Sequence, residues 1–243
     1  AVAAWEWGAL LRLSGGGRWF FALFLILICA VIAWLEPAAL ALLAPASPQA
    51  AWHLGQWLYW PAAVFWFVGV PLWLWRRWAL NSRLLGLALG LLLLLPAWLA
   101  MIQLRQVGPW ALLAIMMIVW LADTGAYFAG RRWGRHKLAP NISPGKTWEG
   151  AAGGAVAVIV YGFVLSFYFP DVLGAAAWHL LVALIVVTGV SIIGDLLESL
   201  LKRQAGLKDS SNILPGHGGL LDRIDSLTST LPIVALFWLA VVN

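Results

Sequence analysis

Long apolar segments dominate this sequence and limit what it can fold into. A helix needs about 20 consecutive, predominantly apolar residues to cross the hydrocarbon core of a bilayer. Charged residues make up 10% of the chain, whereas soluble domains contain roughly 25%. The pattern predicts an all-α, polytopic integral membrane protein with about eight transmembrane helices, at residues 1–11, 18–35, 55–75, 84–102, 109–130, 150–169, 177–199 and 228–242.

Basic residues alternate between the loops that join these segments, and this alternation predicts an orientation. Cytoplasmic loops of membrane proteins carry an excess of Lys and Arg. We expect the odd-numbered loops to be cytoplasmic, because the even-numbered loops hold at most one such residue, Arg105. The net charge of +5 follows from this bias, so the expected partner is the lipid bilayer and not a nucleic acid. The first, third and fifth loops carry Arg12 and Arg18, then Arg76, Arg77 and Arg83, then Arg131, Arg132, Arg135, Lys137 and Lys146.

The two halves of the chain differ in their chemistry. Residues 1–108 are predicted to be N-terminal transmembrane helices, and the absence of an initial Met leads us to expect that an N-terminal part is missing. Residues 109–243 are predicted to be a catalytic transmembrane domain with cytoplasmic loops at 130–149 and 200–229. The pairs Gly86/Gly90 and Gly150/Gly154 allow helices to approach closely. Packing within the protein is the favoured use of these pairs, and a homodimer interface is the alternative.

Residues 199–226 interrupt the apolar pattern with acids, bases and a glycine-rich turn. Carboxylates can hold a metal ion, cations can hold phosphates, and glycine lets backbone N–H groups approach a ligand. The combination suits a metal ion bound together with a polyphosphate, and a solvated loop between two membrane helices is the alternative. The charged residues are Lys202, Arg203, Lys208, Asp209, His217, Asp222, Arg223 and Asp225, and the turn contains Pro215, Gly216, Gly218 and Gly219.

Two further segments place polar groups at the ends of apolar helices. Asp123 lies at a depth where a carboxylate usually faces a cavity or a partner. Asp195, Ser199 and Lys202 share one helix face, for which a structural ion pair is the alternative. The run SPGKT, at residues 143–147, resembles a shortened phosphate loop without the full spacing or the preceding strand. Its glycine, lysine and hydroxyl groups can still receive a phosphate at a helix N-terminus.

Three motifs in the C-terminal half resemble those of the phosphatidate cytidylyltransferase family, also called CDP-diacylglycerol synthases. The longest, at residues 199–225, reads S-x-x-K-R-x-x-x-x-K-D-x-x-x-x-L-P-G-H-G-G-x-x-D-R-x-D. The second, at residues 123–150, begins D-T-G-A-Y and ends I-S-P-G-K-T-x-E-G, and the third is GDLLES at residues 194–199. The N-terminal half is similar to the family only in its hydrophobic helices, apart from an echo at Glu6 and Trp7.

The resemblance implies an activity, a cofactor and a location. CTP and phosphatidic acid would give CDP-diacylglycerol and pyrophosphate at the cytoplasmic face of a bacterial inner membrane. Mg²⁺ is the implied cofactor, with a second metal or a monovalent cation as an addition. One alternative is a CTP-dependent transferase that acts on an ether lipid or a prenol. A membrane transporter is the other alternative, although the charges cluster at one face and no internal repeat is visible.

The resemblance also assigns expected roles to residues of the three motifs. The expected metal ligands are Asp195, Asp222 and Asp225. The remaining catalytic residues are cations that neutralise phosphates, Lys202, Arg203, Lys208 and Arg223, together with His217, which would donate to a phosphate oxygen. The expected substrate-binding residues are Asp123, Ser143, Lys146, Thr147, Asp209, Gly218 and Gly219.

Overall fold

The computed structural model describes residues 1–40, 48–168, 177–216 and 218–242. Within these residues the fold is almost entirely helical, and one short two-stranded hairpin joins two of the helices. The elements in chain order are α1 (Val2–Leu10), α2 (Gly15–Leu35), a 3₁₀ turn (Pro37–Leu40), α3 (Pro48–Val64), a π-helical turn (Phe65–Gly69), α4 (Val70–Arg76), α5 (Arg83–Val107), α6 (Pro109–Trp133), β1 (Lys137–Ala139), β2 (Ser143–Thr147), α7 (Trp148–Tyr168), α8 (Ala177–Ala205) and α9 (Leu221–Val242).

Six of the described helices are long and apolar enough to cross a membrane. They are α2, α5, α6, α7, α8 and a continuous helix over Trp52–Arg76 that comprises most of α3, the π-helical turn and α4. The π turn ends two residues before Pro71, whose missing N–H disturbs the helical hydrogen-bond ladder. The first predicted segment is helical, and the nine residues of α1 in this sequence extend about 14 Å. The polytopic architecture is therefore supported by six candidate spans.

Helices α5 and α8 occupy the centre of the bundle. In their most apolar stretches 56% and 50% of the residues are buried, compared with 17% in α2 and 11% in α6. The short helix α1 packs against this centre, where Trp7 Nε1 donates a hydrogen bond of 2.9 Å to the Gly86 carbonyl of α5. A Cβ atom at Gly86 or Gly90 would collide with Leu11 or Trp7. The expected close approach at this glycine pair is confirmed as packing within the protein.

Helices α6 and α7 pack closely through small residues on both helices. A Cβ atom at Gly153 would overlap that of Ala129, and one at Gly154 would lie 2.6 Å from the Ala122 carbonyl oxygen. On the other side, a Cβ atom at Gly125 would lie 2.9 Å from the Gly153 carbonyl oxygen. The close approach predicted for the Gly150/Gly154 pair is therefore also used inside the chain. It sets the distance between Asp123 on α6 and the hairpin that precedes α7.

The predicted loops are shorter than expected, because the helices extend into both of them. Helix α6 continues to Trp133 and α8 to Ala205, and α9 already begins at Leu221. The first loop contains an antiparallel hairpin in which Lys137 pairs with Thr147, so the expectation of a purely helical fold missed this element. The Glu149 carboxylate accepts hydrogen bonds from the backbone N–H of His136, at 3.2 Å. This contact fastens the start of the hairpin to α7.

Candidate active site

Asp222, in the first turn of α9, accepts hydrogen bonds at both carboxylate oxygens. Lys202 Nζ donates to Oδ1 at 2.6 Å. Oδ2 accepts from the backbone N–H and the hydroxyl of Ser210, each at 2.9 Å, and from the Gly219 N–H at 2.8 Å. Burial raises the pKa of Asp222, but the Lys202 ammonium and the backbone N–H donors outweigh burial and lower the pKa to about 2. An ionised Asp222 therefore ties α8, the 206–220 segment and α9 together.

Lys202 also lies beside a second carboxylate, Glu198, one turn earlier on α8. Lys202 Nζ is 3.3 Å from Glu198 Oε1. Glu198 is buried, and neither of its carboxylate oxygens receives a hydrogen bond within the described part of the chain. The Lys202 ammonium beside Glu198 is shared with Asp222, so the negative charge of this buried carboxylate is only partly neutralised. Glu198 was not among the expected site residues, although its spacing of four residues from Lys202 was a usable signal.

Lys146 connects the hairpin to α8. Its ammonium group contacts Oδ2 of Asp195, and the Ser199 hydroxyl donates to Oδ1 of Asp195 at 3.1 Å. Asp195 thus has an ion-pair partner, but the partner comes from β2 and not from the neighbouring Lys202. This contact brings a lysine of the second motif to a carboxylate of the third motif. Two stretches about 50 residues apart in sequence therefore meet at one point.

Five carboxylates and two lysines from different parts of the chain lie within electrostatic reach of one another. Asp123 experiences the charges of Asp195 and Lys146, and Asp225 experiences those of Asp195, Lys202 and Asp123. Burial, followed by the negative charge of Asp195, raises the pKa of Asp225 above its usual range. The structure thus brings together one group, which we call the carboxylate cluster: Asp123, Asp195, Glu198, Asp222 and Asp225, with Lys146 and Lys202.

The other expected cations lie on the exposed side of this region. Arg203, at the end of α8, Lys208, in the following segment, and Arg223, in the first turn of α9, are exposed. Asp209 is exposed in the same segment, and the Cβ position of Gly218 lies 3.4 Å from the Cβ atom of Asp209 and 3.0 Å from Oδ2 of Asp222. These residues border the carboxylate cluster, and their contact with substrate stays a prediction. His217, the expected phosphate donor, lies outside the described residues.

The two hydroxyl residues of the SPGKT run have different surroundings. Thr147 is buried, and its hydroxyl accepts a hydrogen bond of 3.1 Å from the Gly150 N–H at the start of α7. Its hydroxyl also lies against Gly130 and Gly134 of the preceding segment. This arrangement gives Thr147 a role in capping and packing, whereas Ser143 is half-buried at the beginning of β2. The expected contact of either hydroxyl with a phosphate stays a prediction.

Glu6 of α1 fixes the glycine-rich turn from the opposite end of the chain. The residue is fully buried, and it accepts hydrogen bonds from the Ser211 hydroxyl at 2.5 Å and from the N–H groups of Leu220 and Leu221 at 3.0 and 2.6 Å. A Cβ atom at Gly219 would lie 2.6 Å from Glu6 Oε1. Glu6 was absent from the expected site. The available signal was the high free-energy cost of a carboxylate in an apolar helix, which requires a partner.

The chemistry of the carboxylate cluster fits a hard divalent cation such as Mg²⁺. The cluster has five carboxylates against two ammonium groups, and two of its buried oxygens, on Glu198, have no hydrogen-bond donor among the described residues. No three His, Cys, Asp or Glu side chains in the described ranges converge as a ready metal site. Mg²⁺ commonly takes only one or two carboxylates and completes its shell with waters and substrate phosphates, so a metal that arrives with a nucleotide suits this arrangement.

Sequence comparisons agree with the motifs that this geometry brings together. The cytidylyltransferase family model matches residues 1–241. A phosphatidate cytidylyltransferase of Pseudomonas aeruginosa is 43% identical over 99% of this chain and 85% of that protein. Those of Haemophilus influenzae and Staphylococcus epidermidis are 44% and 47% identical over 54% of this chain, and the matches span 46% and 49% of their own lengths. The resemblance of the three motifs is confirmed, and the chain belongs to the cytidylyltransferase family.

Proposed function

We propose that this chain transfers the cytidylyl group of CTP to phosphatidic acid and produces CDP-diacylglycerol and pyrophosphate. The observation that carries the proposal is the carboxylate cluster, in which residues from all three family motifs meet. Lys146 and Asp123 come from the second motif, Asp195 from the third and Asp222 from the longest. The curated relatives described above are named phosphatidate cytidylyltransferases, which favours phosphatidic acid over an ether lipid or a prenol.

The reaction needs positioning and charge neutralisation more than proton transfer. An oxygen of the lipid phosphate attacks the α-phosphorus of CTP, a new P–O bond forms, and the bond to the β-phosphate oxygen breaks to release pyrophosphate. The nucleophile is already an anion, so the main barrier is the approach of two negatively charged groups. Cations held in fixed positions lower that barrier because they stabilise the charge that develops in the transition state. Lys146 and Lys202 are held by ion pairs to Asp195 and Asp222, and Arg203, Lys208 and Arg223 add exposed positive charge nearby.

Asp195 and Asp225 are the carboxylates best suited to hold Mg²⁺, with Asp222 as a third candidate. Asp225 Oδ1 accepts a hydrogen bond of 2.7 Å from the Ser226 N–H. Asp222 has four donors on its two oxygens, so binding a metal would require it to exchange at least one of them. When bound, the metal would neutralise phosphate oxygens and orient the α-phosphate of CTP.

We place the site at the cytoplasmic face of a bacterial inner membrane. Charged residues of the cluster lie near the C-terminal ends of α6 and α8 and the N-terminal end of α9, on the side where the basic loops occur. The excess of Lys and Arg in these loops supports a cytoplasmic location, and the relatives compared above are bacterial. The acyl chains of the lipid substrate could then enter sideways from the bilayer, between helices at the interface.

The choice of lipid is tested with a panel of acceptors. Purified protein in detergent is supplied with Mg²⁺ and α-labelled CTP, and with dioleoyl phosphatidic acid, an ether-linked phosphatidic acid analogue or a prenyl phosphate. We expect label in the lipid fraction with dioleoyl phosphatidic acid at a kcat/KM at least tenfold above the other acceptors. A preparation that is folded, and that labels the prenyl phosphate or no acceptor at all, would contradict the proposal.

A further inference from the structure

A polar cavity lies at the same end of the bundle as the carboxylate cluster but outside that cluster. It is a cleft of about 390 Å³ between the end of α1, the segment that joins α4 to α5, and the end of α8. None of the described residues that line it is acidic. Its polar walls include Arg12, Asn81, Ser82, Arg83 and Gln204, and its apolar walls include Leu201. We call this cavity the basic cleft.

The basic cleft is built by specific hydrogen bonds and is not a gap between loosely placed loops. Gln204, at the end of α8, accepts from the Leu80 N–H at 3.2 Å and donates to the Trp78 carbonyl at 2.9 Å. Arg12 Nη2 donates to the Gln204 carbonyl at 2.9 Å. Arg12 and Arg77, with φ of 53° and 50°, are the two non-glycine residues with positive φ in the described chain. Both residues follow helix C-termini, where a left-handed residue commonly ends the helix.

The charge of the basic cleft selects an anion. Neither Arg12 nor Arg83 forms an ion pair with a carboxylate among the described residues. Within the described part of the chain, the Arg12 side chain donates to the Gln204 carbonyl, which leaves most of its guanidinium N–H groups available to a ligand or to solvent. Guanidinium groups bind phosphate oxygens through paired N–H donors. A phosphate group is therefore the anion that this lining fits.

The surroundings of the basic cleft select a lipid as the source of that phosphate. Trp75 and Trp78, on the adjoining segment, are 72% and 47% exposed, and exposed Trp residues of membrane proteins concentrate at the level of the lipid headgroups. Leu10, Leu11 and Leu201 form the apolar part of the lining. Paired arginines beside leucines suit a ligand with a charged head and an apolar body. We propose that the basic cleft binds the headgroup of an anionic phospholipid, with Arg12 and Arg83 contacting its phosphate oxygens.

Lipid retention tests this proposal without CTP or Mg²⁺, so its outcome does not depend on the transfer reaction. Wild-type protein in detergent is mixed with dioleoyl phosphatidic acid, dioleoyl phosphatidylglycerol or dioleoyl phosphatidylcholine, and native mass spectrometry counts the retained lipid. We expect at least fivefold greater retention of the two anionic lipids than of phosphatidylcholine. The double variant Arg12→Gln/Arg83→Gln should lose that preference. Arg105→Gln is the matched control, because Arg105 lies at the opposite end of α5 from Arg83.

Folding and ligand source are separated by two further measurements. Arg12→Lys/Arg83→Lys keeps the charge and should retain at least half of the anionic lipid, which distinguishes lost binding from a damaged cleft. If the bound lipid is the substrate, the double Gln variant raises the KM for dioleoyl phosphatidic acid at least fivefold and leaves the KM for CTP within twofold. If it is a bilayer lipid, the double Gln variant loses retained phosphatidylglycerol while its KM for dioleoyl phosphatidic acid stays unchanged. Wild-type retention of anionic lipid by a folded double Gln variant would overturn the proposal.

Discussion

Asp222 shows how a single side chain can organise the site. Its four donors come from Lys202 on α8 and from Ser210 and Gly219 in the 206–220 segment. In Asp222→Asn, an NH₂ group replaces one carboxylate oxygen. Because the NH₂ group is itself a donor, it cannot accept the hydrogen bonds that this oxygen accepts in the wild type. We expect turnover to fall by at least about 100-fold while the protein remains folded in the membrane fraction. Label transfer from CTP and size-exclusion chromatography measure the two effects.

The matched control for Asp222→Asn is Glu36→Gln, which makes the same chemical change at an exposed residue just after α2. We expect this control to retain wild-type activity. Activity of Asp222→Asn within threefold of the wild type would remove Asp222 from the catalytic machinery.

Glu6 should affect stability and activity together. In Glu6→Ala, the N–H groups of Leu220 and Leu221 and the Ser211 hydroxyl lose their buried acceptor. Each unsatisfied buried donor costs about 1–3 kcal/mol, so we expect a lower unfolding temperature and a higher KM for CTP. Thermal unfolding followed by Trp fluorescence, with steady-state kinetics, measures both. The prediction fails if Glu6→Ala melts and reacts like the wild type.

Whether a contact could be predicted from the sequence depends on how far apart its two residues lie in the chain. The Asp195–Ser199 contact lies within one helical turn, and helical spacing alone could predict it. Glu6 and Ser211 are 205 residues apart in the chain, so no pattern of spacing could reveal their hydrogen bond. Thr147 shows that a local motif can also suggest a contact that the structure does not contain. A hydroxyl beside a glycine and a lysine suggests phosphate binding, whereas the Thr147 hydroxyl accepts a hydrogen bond from the Gly150 N–H.

At the scale of elements, the contact between α6 and α7 is expected to be intolerant of added volume. In Gly153→Ala the new methyl group would overlap Ala129, whereas in Gly189→Ala it would enter open space on α8. Overpacking typically costs about 1–3 kcal/mol, so we expect Gly153→Ala to lower the unfolding temperature and Gly189→Ala to leave it unchanged. Because α6 carries Asp123, activity should fall with Gly153→Ala as well. Equal unfolding temperatures for the two variants would contradict this packing.

The ends of helices could be predicted well where the apolar run is long. They could be predicted only roughly where the run is short. The segments expected at 84–102 and 109–130 correspond to α5 and α6, because a sustained apolar run followed by Gly108 and Pro109 leaves few alternatives. The hairpin of β1 and β2 was missed because its five-residue run SPGKT has no alternating apolar pattern. Its pairing depends on contacts such as that between Glu149 and His136.

At the scale of the whole molecule, the positive charge of the loops predicts that both polar segments face one compartment. Cys29 is the single cysteine of the chain, so Cys29→Ser provides a background for labelling. In that background, Arg135→Cys and Asn212→Cys introduce thiols at exposed positions of the two segments, and Glu36→Cys introduces one in the second loop. An impermeant maleimide applied to intact cells should label Glu36→Cys alone, and inverted vesicles should show the opposite pattern. Labelling of Arg135→Cys and Asn212→Cys from opposite sides would contradict the proposed orientation.

The overall architecture could be predicted from composition because a bilayer permits few arrangements of apolar segments. The number of spans could not be predicted as securely, since six of the described helices, and not eight, are long and apolar enough to cross a membrane. Trp7 and Glu6 of α1 form hydrogen bonds with α5 and with the start of α9. These partners explain why a short helix with a buried carboxylate belongs to the core of the fold.

A metal-dependent transfer at the carboxylate cluster is the central step of the proposed function. The decisive measurement is labelled CDP-diacylglycerol formed from α-labelled CTP and dioleoyl phosphatidic acid, over a range of Mg²⁺ concentrations and with EDTA. We predict that the wild type forms no product in EDTA, and that Asp195→Asn and Asp225→Asn raise the half-activating Mg²⁺ concentration by about tenfold or more or abolish product. Undiminished product in EDTA, or wild-type Mg²⁺ dependence in both variants, would contradict the account.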